Sequence, residues 1–297
     1  MGDGVKHFAL LGAAGYIAPK HMEAIKHVGG ELVAVCDPHD SVGVVDRYSK
    51  NCLYFREFER FERYLSTDVP VDYLVVCTPN YLHDSHAALG LRIGADVILE
   101  KPACVHTRNL DRLSALEIKY QPHPVRVWCV LQLRHSPIVQ QLKTKYAEGY
   151  YEVDVKYYTP RGSWYDYSWK GDPQKSGWVV TNIGIHLFDL MVYLFGDSTL
   201  DAQILHNCGK RHASGVLFLQ RATVRWHLST DPDSLPVRMM MIRGEQSVDL
   251  SREFGDLHTT AYKEILAGNG VSLSEARRSL KITESLLDKY LERYGND

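Results

Sequence analysis

Lys101 is the residue whose setting most invites chemistry, in the run Asp96-Val97-Ile98-Leu99-Glu100-Lys101-Pro102. The apolar residues read as a buried strand. Pro102 bars its continuation as a central strand and biases Lys101 to an extended backbone. A Glu-Lys pair is thereby fixed at the carboxyl end of a strand, where the loops of an open parallel sheet face the ligand crevice. Standing alone, such a pair is most simply a solvated strand end. His186 is the second candidate, in Asn182-Ile183-Gly184-Ile185-His186-Leu187-Phe188-Asp189. Helical spacing puts Asn182, His186 and Asp189 on one face, with Ile183, Leu187, Leu190 and Leu194 on an apolar neighbour. A histidine there is a satisfied core residue or a proton acceptor. His186 and Asp189 have the spacing of metal ligands, but no third ligand accompanies them and no metal is expected.

The elements that must position Lys101 come first in the chain. His7 to Leu11 reads as a strand, followed by Gly12-Ala13-Ala14-Gly15-Tyr16-Ile17-Ala18-Pro19 and a helical pattern through Val28. Gly12 permits the tight turn, and Gly15 lets backbone approach a ligand. The helix N-terminus offers N–H groups to a pyrophosphate lying over Gly12, Ala14, Gly15, Tyr16 and Ile17. The glycine pattern is degenerate, with Ala14 and Ala18 at its middle and last positions. Glu31 to Cys36 is the next strand, and it ends in Asp37, where a carboxylate bonds the adenosine ribose hydroxyls and repels a 2′-phosphate. NAD is therefore expected rather than NADP. Helices are expected around Val42 to Tyr48 and Phe58 to Ser66. The strand Val71 to Cys77 then ends in Thr78, Pro79, Asn80 and His83, polar groups over the cofactor. A helix from His83 to Ile93 leads to Glu100 and Lys101, and Gln132 is counted with the same cofactor-binding set. Strands alternating with helices of this length imply right-handed crossovers and a parallel sheet.

The helix from Thr107 to Tyr120 and the strand Val125 to Leu131 close the first sheet, separated by the turn Gln121-Pro122-His123-Pro124. The expected division is a dinucleotide-binding domain over 1–122 and a substrate-binding and oligomerisation domain over 123–297. In the second part, four aromatics stand among glycines and charges between Arg161 and Asp172. Arg161, Ser163, Trp164, Tyr165, Trp169 and Lys170 make a poor core strand but suit stacking on a sugar or base, or a subunit interface. Strands are read near Ala202 to Asn207, Ser214 to Leu219, Ala222 to Ser229, Pro236 to Arg243 and Ser247 to Leu250. Their short gaps make them mostly antiparallel. Helices over Asp256 to Ala267 and Ser274 to Tyr294 end the chain. The fold class is α/β, a Rossmann domain followed by an α+β domain with a broad sheet suited to forming a homo-oligomer, dimer or tetramer.

Bulk properties narrow the partners. Two domains fit 297 residues, 45% apolar and 24% charged. The net charge of -2 forces no basic face, so nucleic acid is not an expected partner. Six scattered cysteines without a CxxC pair suit buried free thiols in a reducing compartment. No signal-peptide core and no run of about 18 apolar residues is present, so a cytoplasmic protein without a membrane span is expected.

Taken together, Gly12 and Gly15, Asp37, Cys77-Thr78-Pro79-Asn80 and Glu100-Lys101-Pro102 resemble the glucose-fructose oxidoreductase and inositol dehydrogenase family of NAD(P)-dependent sugar and polyol dehydrogenases. The resemblance implies that Lys101 lies beside the nicotinamide and the substrate hydroxyl, and that His186 completes a catalytic dyad within Gly184-x-His186-x-x-Asp189. More narrowly, Arg161 to Tyr165, Ser168 to Asp172, Lys175-Ser176-Gly177, Asn182 to His186 and Asp256 to Thr259 resemble the UDP-N-acetyl-2-amino-2-deoxyglucuronate 3-dehydrogenases over nearly the whole chain. That likeness implies oxidation of a UDP-linked amino sugar at C3 before an aminotransferase acts. It also implies Arg134, Lys170 and the aromatic loop, with Asn182, as contacts to the nucleotide sugar. Gly177-Trp178 departs from an expected Gly-Gly. An indole beside the substrate helix would crowd a C6 carboxylate, so UDP-N-acetylglucosamine, on a lipid A route, stands beside the glucuronate as substrate. Either Lys101 or His186 serves as base. A dinucleotide-binding sensor, or another sugar or polyol dehydrogenase, reductase or sugar-opening hydrolase on this fold, are the rival classes.

Overall fold

The computed structural model describes residues 4–67, 69–120, 125–199, 204–245, 247–251 and 256–294. Its longer helices are α1 (Ala18–His27), α2 (Phe58–Thr67), α3 (His83–Ile93), α4 (Thr107–Lys119), α5 (Pro137–Lys145), α6 (Ile185–Phe195), α7 (Leu257–Leu266) and α8 (Leu273–Tyr294). The chain divides into two compact units. One comprises Met1–Cys104, Arg108–Val130 and His258–Leu273, and the other Val105–Thr107, Leu131–Leu257 and Ser274–Asp297. The expected boundary at 122 lies outside the described residues.

The first unit is built on β1 (His7–Leu11), β2 (Glu31–Cys36), β3 (Leu53–Phe55), β4 (Tyr73–Val76), β5 (Asp96–Leu99) and β6 (Val127–Cys129), plus a two-residue strand Val271–Ser272. Their order is Val271–Ser272, β6, β5, β4, β1, β2, β3, and only the Val271–Ser272 pairing is antiparallel. Continuous apolar runs form these strands because both sheet faces are covered. Phe8, Leu10, Val35, Val75 and Ile98 are fully buried. The strand order reverses between β1 and β4, which is where open α/β sheets bind ligands. The amides of Gly12 and Cys77 bond the carbonyls of Cys36 and Leu11 at 2.8 Å, so the carboxyl ends of β1, β2 and β4 meet at one place. Two expectations needed correction. The stretch Val42 to Tyr48 holds only a 3-10 turn at Val45–Arg47, and the edge strand β3 was not foreseen, being three largely solvated residues with no alternation to read.

The second unit carries β7 (Tyr151–Tyr158), β8 (Ile204–Gly209), β9 (His212–Leu219), β10 (Ala222–Ser229), β11 (Val237–Ile242) and β12 (Val248–Asp249), in the order β12, β11, β7, β10, β9, β8. The sheet is mostly antiparallel, as expected, with β7 and β10 parallel. Residues 202 and 203, where a strand was expected to begin, lie outside the described residues. β9 and β10 alternate buried and exposed residues, and their apolar face meets α6, with Phe188 packed edge-on against Trp226 at 5.2 Å. The helix expected from Asn182 onward is broken: Trp178–Asn182 forms one short helix and α6 begins at Ile185. A Cβ at Gly184 would stand 2.5 Å from the Val180 carbonyl oxygen and 2.7 Å from Leu228 Cδ1, so the close packing takes a glycine there. Asn182 therefore does not share the helix of His186. Among the described residues no single helix is long and apolar enough to cross a membrane, and none of the six cysteines is in a disulfide.

Candidate active site

Gly12 closes β1 with φ +88°, and a Cβ there would lie 2.7 Å from the Cys77 carbonyl, so the turn is restricted to glycine by both conformation and space. The amide of Gly15 bonds the Gly12 carbonyl at 3.1 Å, and Tyr16 stands 98% exposed over the turn. No side chain caps the N-terminus of α1; its Ala18 and Lys20 amides bond the Gly15 and Ile17 carbonyls at 3.1 and 3.0 Å, and Pro19 has no N–H, so the helix offers an anion the positive end of its dipole. Asp37, buried at the end of β2, receives the amides of Ala14 and His39 at 2.9 Å, one on each carboxylate oxygen. It thus braces the glycine turn, and each oxygen keeps a lone pair for a ribose hydroxyl. A glycine cradle, an uncapped helix start and a strand-end carboxylate fit the diphosphate and adenosine ribose of NAD.

The loops after β4 and β5 complete this end of the sheet. His83 is buried with Nδ1 2.6 Å from the Pro102 carbonyl and Nε2 2.8 Å from that of Thr78. Both ring nitrogens face carbonyls of the two loops, and burial lowers the His83 pKa, so the neutral ring donates to one of them at a time. Asn80 is buried and Pro79 half-buried at the head of the following turn. The Thr78 hydroxyl and His86 Nδ1 are bonded at 2.9 Å, and the His86 ring stacks on Phe58. Burial, with a smaller push from His83, lowers the His86 pKa to about 4. The unfolded chain, titrating near 6.5, takes up that proton first. Its contribution to stability is therefore whole above pH 6.5 and is lost as pH falls toward 4, about 3 kcal/mol in all. In urea unfolding, His86→Gln should cost more at pH 7 than at pH 4.5, and a pH-independent cost would refute the burial effect.

Lys101 is half-buried, joined to Pro102 by a cis peptide bond. Glu100 before it is not solvated but buried. One oxygen accepts the Lys101 amide at 3.0 Å, and the other faces His21 Nε2 at 2.9 Å and His258 Nε2 at 3.4 Å. His21, His258 and Tyr262 were not foreseen, since nothing local in α1 or α7 marks them. Glu100, expected among the cofactor contacts, is turned toward these side chains instead.

In the second unit, His186 lies in the first turn of α6 and is 8% exposed. Arg134, expected to bind the nucleotide sugar, is 4% exposed. It forms a two-pronged pair with Asp189 at 2.7 and 2.9 Å and a third bond to Glu275 at 2.9 Å. This corrects the assignment: the guanidinium joins α6 to α8. Tyr165 is also turned inward, its hydroxyl accepting from Asn182 Nδ2 at 2.6 Å. Gln132 is buried with Oε1 lacking a partner among the described residues. The rest of the aromatic loop is exposed or half-buried. Trp164 is 53% exposed, Ser163 is exposed and Arg161 half-buried, while Lys170 Nζ lies 4.1 Å from the Trp169 ring centre and 5.6 Å from that of Trp164. Arg211 orders the loop through Asp166 at 2.8 Å and the Arg161 carbonyl at 2.7 Å.

Trp178 faces away from any crowding role. Its backbone is left-handed at φ +59°, the side chain is 3% exposed, the ring stacks on Tyr290 at 3.9 Å, and Nε1 donates to the Gly209 carbonyl. The indole is a core residue packed against α8, so the sequence argument that it excludes a C6 carboxylate does not hold. Trp178→Gly should lower stability by about 2 to 4 kcal/mol, the lost packing being partly offset by relief of the backbone. It should leave the preference between C6 hydroxyl and carboxylate substrates unchanged, which paired kinetics on the two sugars would check.

Residues 6–126 match the profile of an oxidoreductase family described by its NAD-binding Rossmann fold, and residues 149–216 match that family's C-terminal alpha/beta domain. The chain belongs to the Gfo/Idh/MocA oxidoreductase family. Its nucleotide is NAD, in keeping with the Gly12 turn and Asp37. Among family members of known structure, the chain is 40% identical to the WlbA (WbpB) dehydrogenase from Thermus thermophilus in complex with NAD and UDP-GlcNAcA, with TM-score 0.89 over 95% of each chain. A complex of the Thermus WlbA (WbpB) dehydrogenase with NAD and alpha-ketoglutarate gives 41% identity and TM-score 0.90, over 95% of this chain and 94% of that one. Glucose-6-phosphate 3-dehydrogenase from Bacillus subtilis (strain 168) is 25% identical over 202 residues. That match spans 64% of this chain and 54% of the Bacillus protein.

Proposed function

We propose that the chain is an NAD-dependent 3-dehydrogenase of a UDP-linked 2-acetamido sugar, with the C6 glucuronate, UDP-GlcNAcA, as substrate. The observation that carries the reading is the 40% identity over 95% of both chains to a dehydrogenase bound to NAD and UDP-GlcNAcA. With its indole packed on Tyr290 in the core, Trp178 no longer argues against a carboxylate. Bound NAD+ supplies the two-electron acceptor. The chain's part is to hold the sugar, orient its C3 hydroxyl and take up the hydroxyl proton as the C3–O bond becomes a carbonyl. Lys101 and His186 are assigned to that oxygen, one donating a hydrogen bond and the other accepting the proton. Exposed Trp164 and half-buried Trp169 and Lys170, whose ammonium lies over both rings, are assigned to the nucleotide portion. The same reading places the enzyme in the cytoplasm as a homo-oligomer, with an aminotransferase consuming its ketone.

The test is incubation with NAD+ and either UDP-GlcNAcA or UDP-N-acetylglucosamine, with mass spectrometry of the sugar. The expected product is the 3-keto glucuronate, lighter by two hydrogens, and addition of 2-oxoglutarate should turn a single equivalent into continued turnover. Product from UDP-N-acetylglucosamine alone would move the enzyme to the C6-hydroxyl substrate, and no ketone from either would remove the reading.

A further inference from the structure

Four side chains of the first unit that carry no assigned role converge beside Lys101. Glu100 ends β5 at 5% exposure, His21 comes from α1 at 0%, and His258 and Tyr262 come from α7 at 8% and 0%. The bonds form a directed chain. A carboxylate only accepts, so His21 Nε2 donates to Glu100 Oε1 at 2.9 Å, and His21 Nδ1, 2.9 Å from the Tyr262 hydroxyl, accepts that hydroxyl's proton. His258 Nε2 approaches the same oxygen at 3.4 Å, and Glu100 Oε2 accepts the Lys101 amide at 3.0 Å. Burial raises the Glu100 pKa, but the bonds from His21 and His258 outweigh it and hold the carboxyl well below its usual range. Burial keeps His21 neutral against the pull of Glu100. The result is a buried carboxylate aimed by one His21 tautomer.

We propose that Glu100 is a positioning residue for Lys101, its carboxylate clamping the Lys101 amide while His21, locked in one tautomer by Tyr262, fixes the carboxylate. The inference rests on the reading of Lys101 as catalytic. The amine leaves a backbone anchored at its own amide, and misplacement by about 1 Å of a group acting on a reacting atom costs on the order of 100-fold. Because His21 belongs to α1, the clamp also joins Lys101 to the helix whose N-terminus faces the glycine turn. The same three ligand atoms lie within 4.8 Å of one another, a donor set that zinc accepts, but the 2.9 Å separation of His21 Nε2 from Glu100 Oε1 is that of a hydrogen bond.

A double-mutant cycle tests this. Glu100→Gln should lower kcat by about 30- to 100-fold with NAD+ affinity within about threefold, yet change the residual rate of Lys101→Met by less than about threefold, since the clamp has no amine left to aim. Tyr262→Phe should lower kcat by about three- to tenfold, with 15N NMR of the histidines reporting a second His21 tautomer, and this variant decides the question if Glu100→Gln fails to fold. Equal effects of Glu100→Gln with and without Lys101, wild-type kcat in Glu100→Gln or Tyr262→Phe, or one equivalent of tightly held metal in the purified protein would overturn the proposal. If Lys101→Met itself keeps full turnover, the catalytic reading fails and the clamp falls with it. Loss of turnover on removing Lys101, with no response to Glu100→Gln, removes the clamp alone.

Discussion

Lys101→Met is expected to lower kcat for the nucleotide sugar by about 1000-fold, while NAD+ affinity, read from quenching of protein fluorescence, stays within about threefold. Methionine keeps the apolar stem of lysine and deletes the ammonium, so the substitution removes a donor and leaves the packing of a half-buried chain. His186→Asn should have a similar cost, because the amide cannot take up a proton. If both groups serve the same C3 oxygen, the double variant should be little worse than the worse single one, as residues that act as a unit lose their effect together. Fully additive losses would show two independent roles instead of a dyad. Wild-type turnover in Lys101→Met would dispose of the assignment.

Asp189→Ala should destabilise the second unit by about 3 to 5 kcal/mol, because it strands the buried Arg134 guanidinium without its two-pronged partner. For a protein of this size that is a fall in Tm of roughly 10 °C. The exposed arm to Glu275 offers little relief, since the Glu275 side chain is 45% exposed and solvent screens the pair. Replacing both members, as in Arg134→Met with Asp189→Leu, should recover much of the loss, since two buried charges are removed together. Calorimetry of the singles and the double checks this directly. A nucleotide-sugar role for Arg134 predicts the opposite pattern, a raised KM with stability unchanged. That outcome would restore the sequence-based assignment.

These two residues also mark where sequence reasoning stops. The five central strands of the first sheet, the Gly12 turn, Asp37 and the strand end at Glu100 and Lys101 were legible, because each is written in a short stretch: a continuous apolar run for a doubly covered strand, a glycine where φ is positive, a proline where the strand must stop. The antiparallel character of the second sheet was legible for the same reason, its gaps being too short for crossovers. Sequence by itself thus determined the fold, the cofactor class and the position of the candidate lysine. Only the tertiary structure decided what the polar side chains do once there. His21 and His258 reach Glu100 across 79 and 158 residues, Arg134 finds Asp189 across 55, and Trp178 turns to Tyr290 rather than toward a ligand. A charged or aromatic residue carries no local periodicity that names its partner. The partner is fixed by which elements close over it and by the high cost of burying a polar group alone.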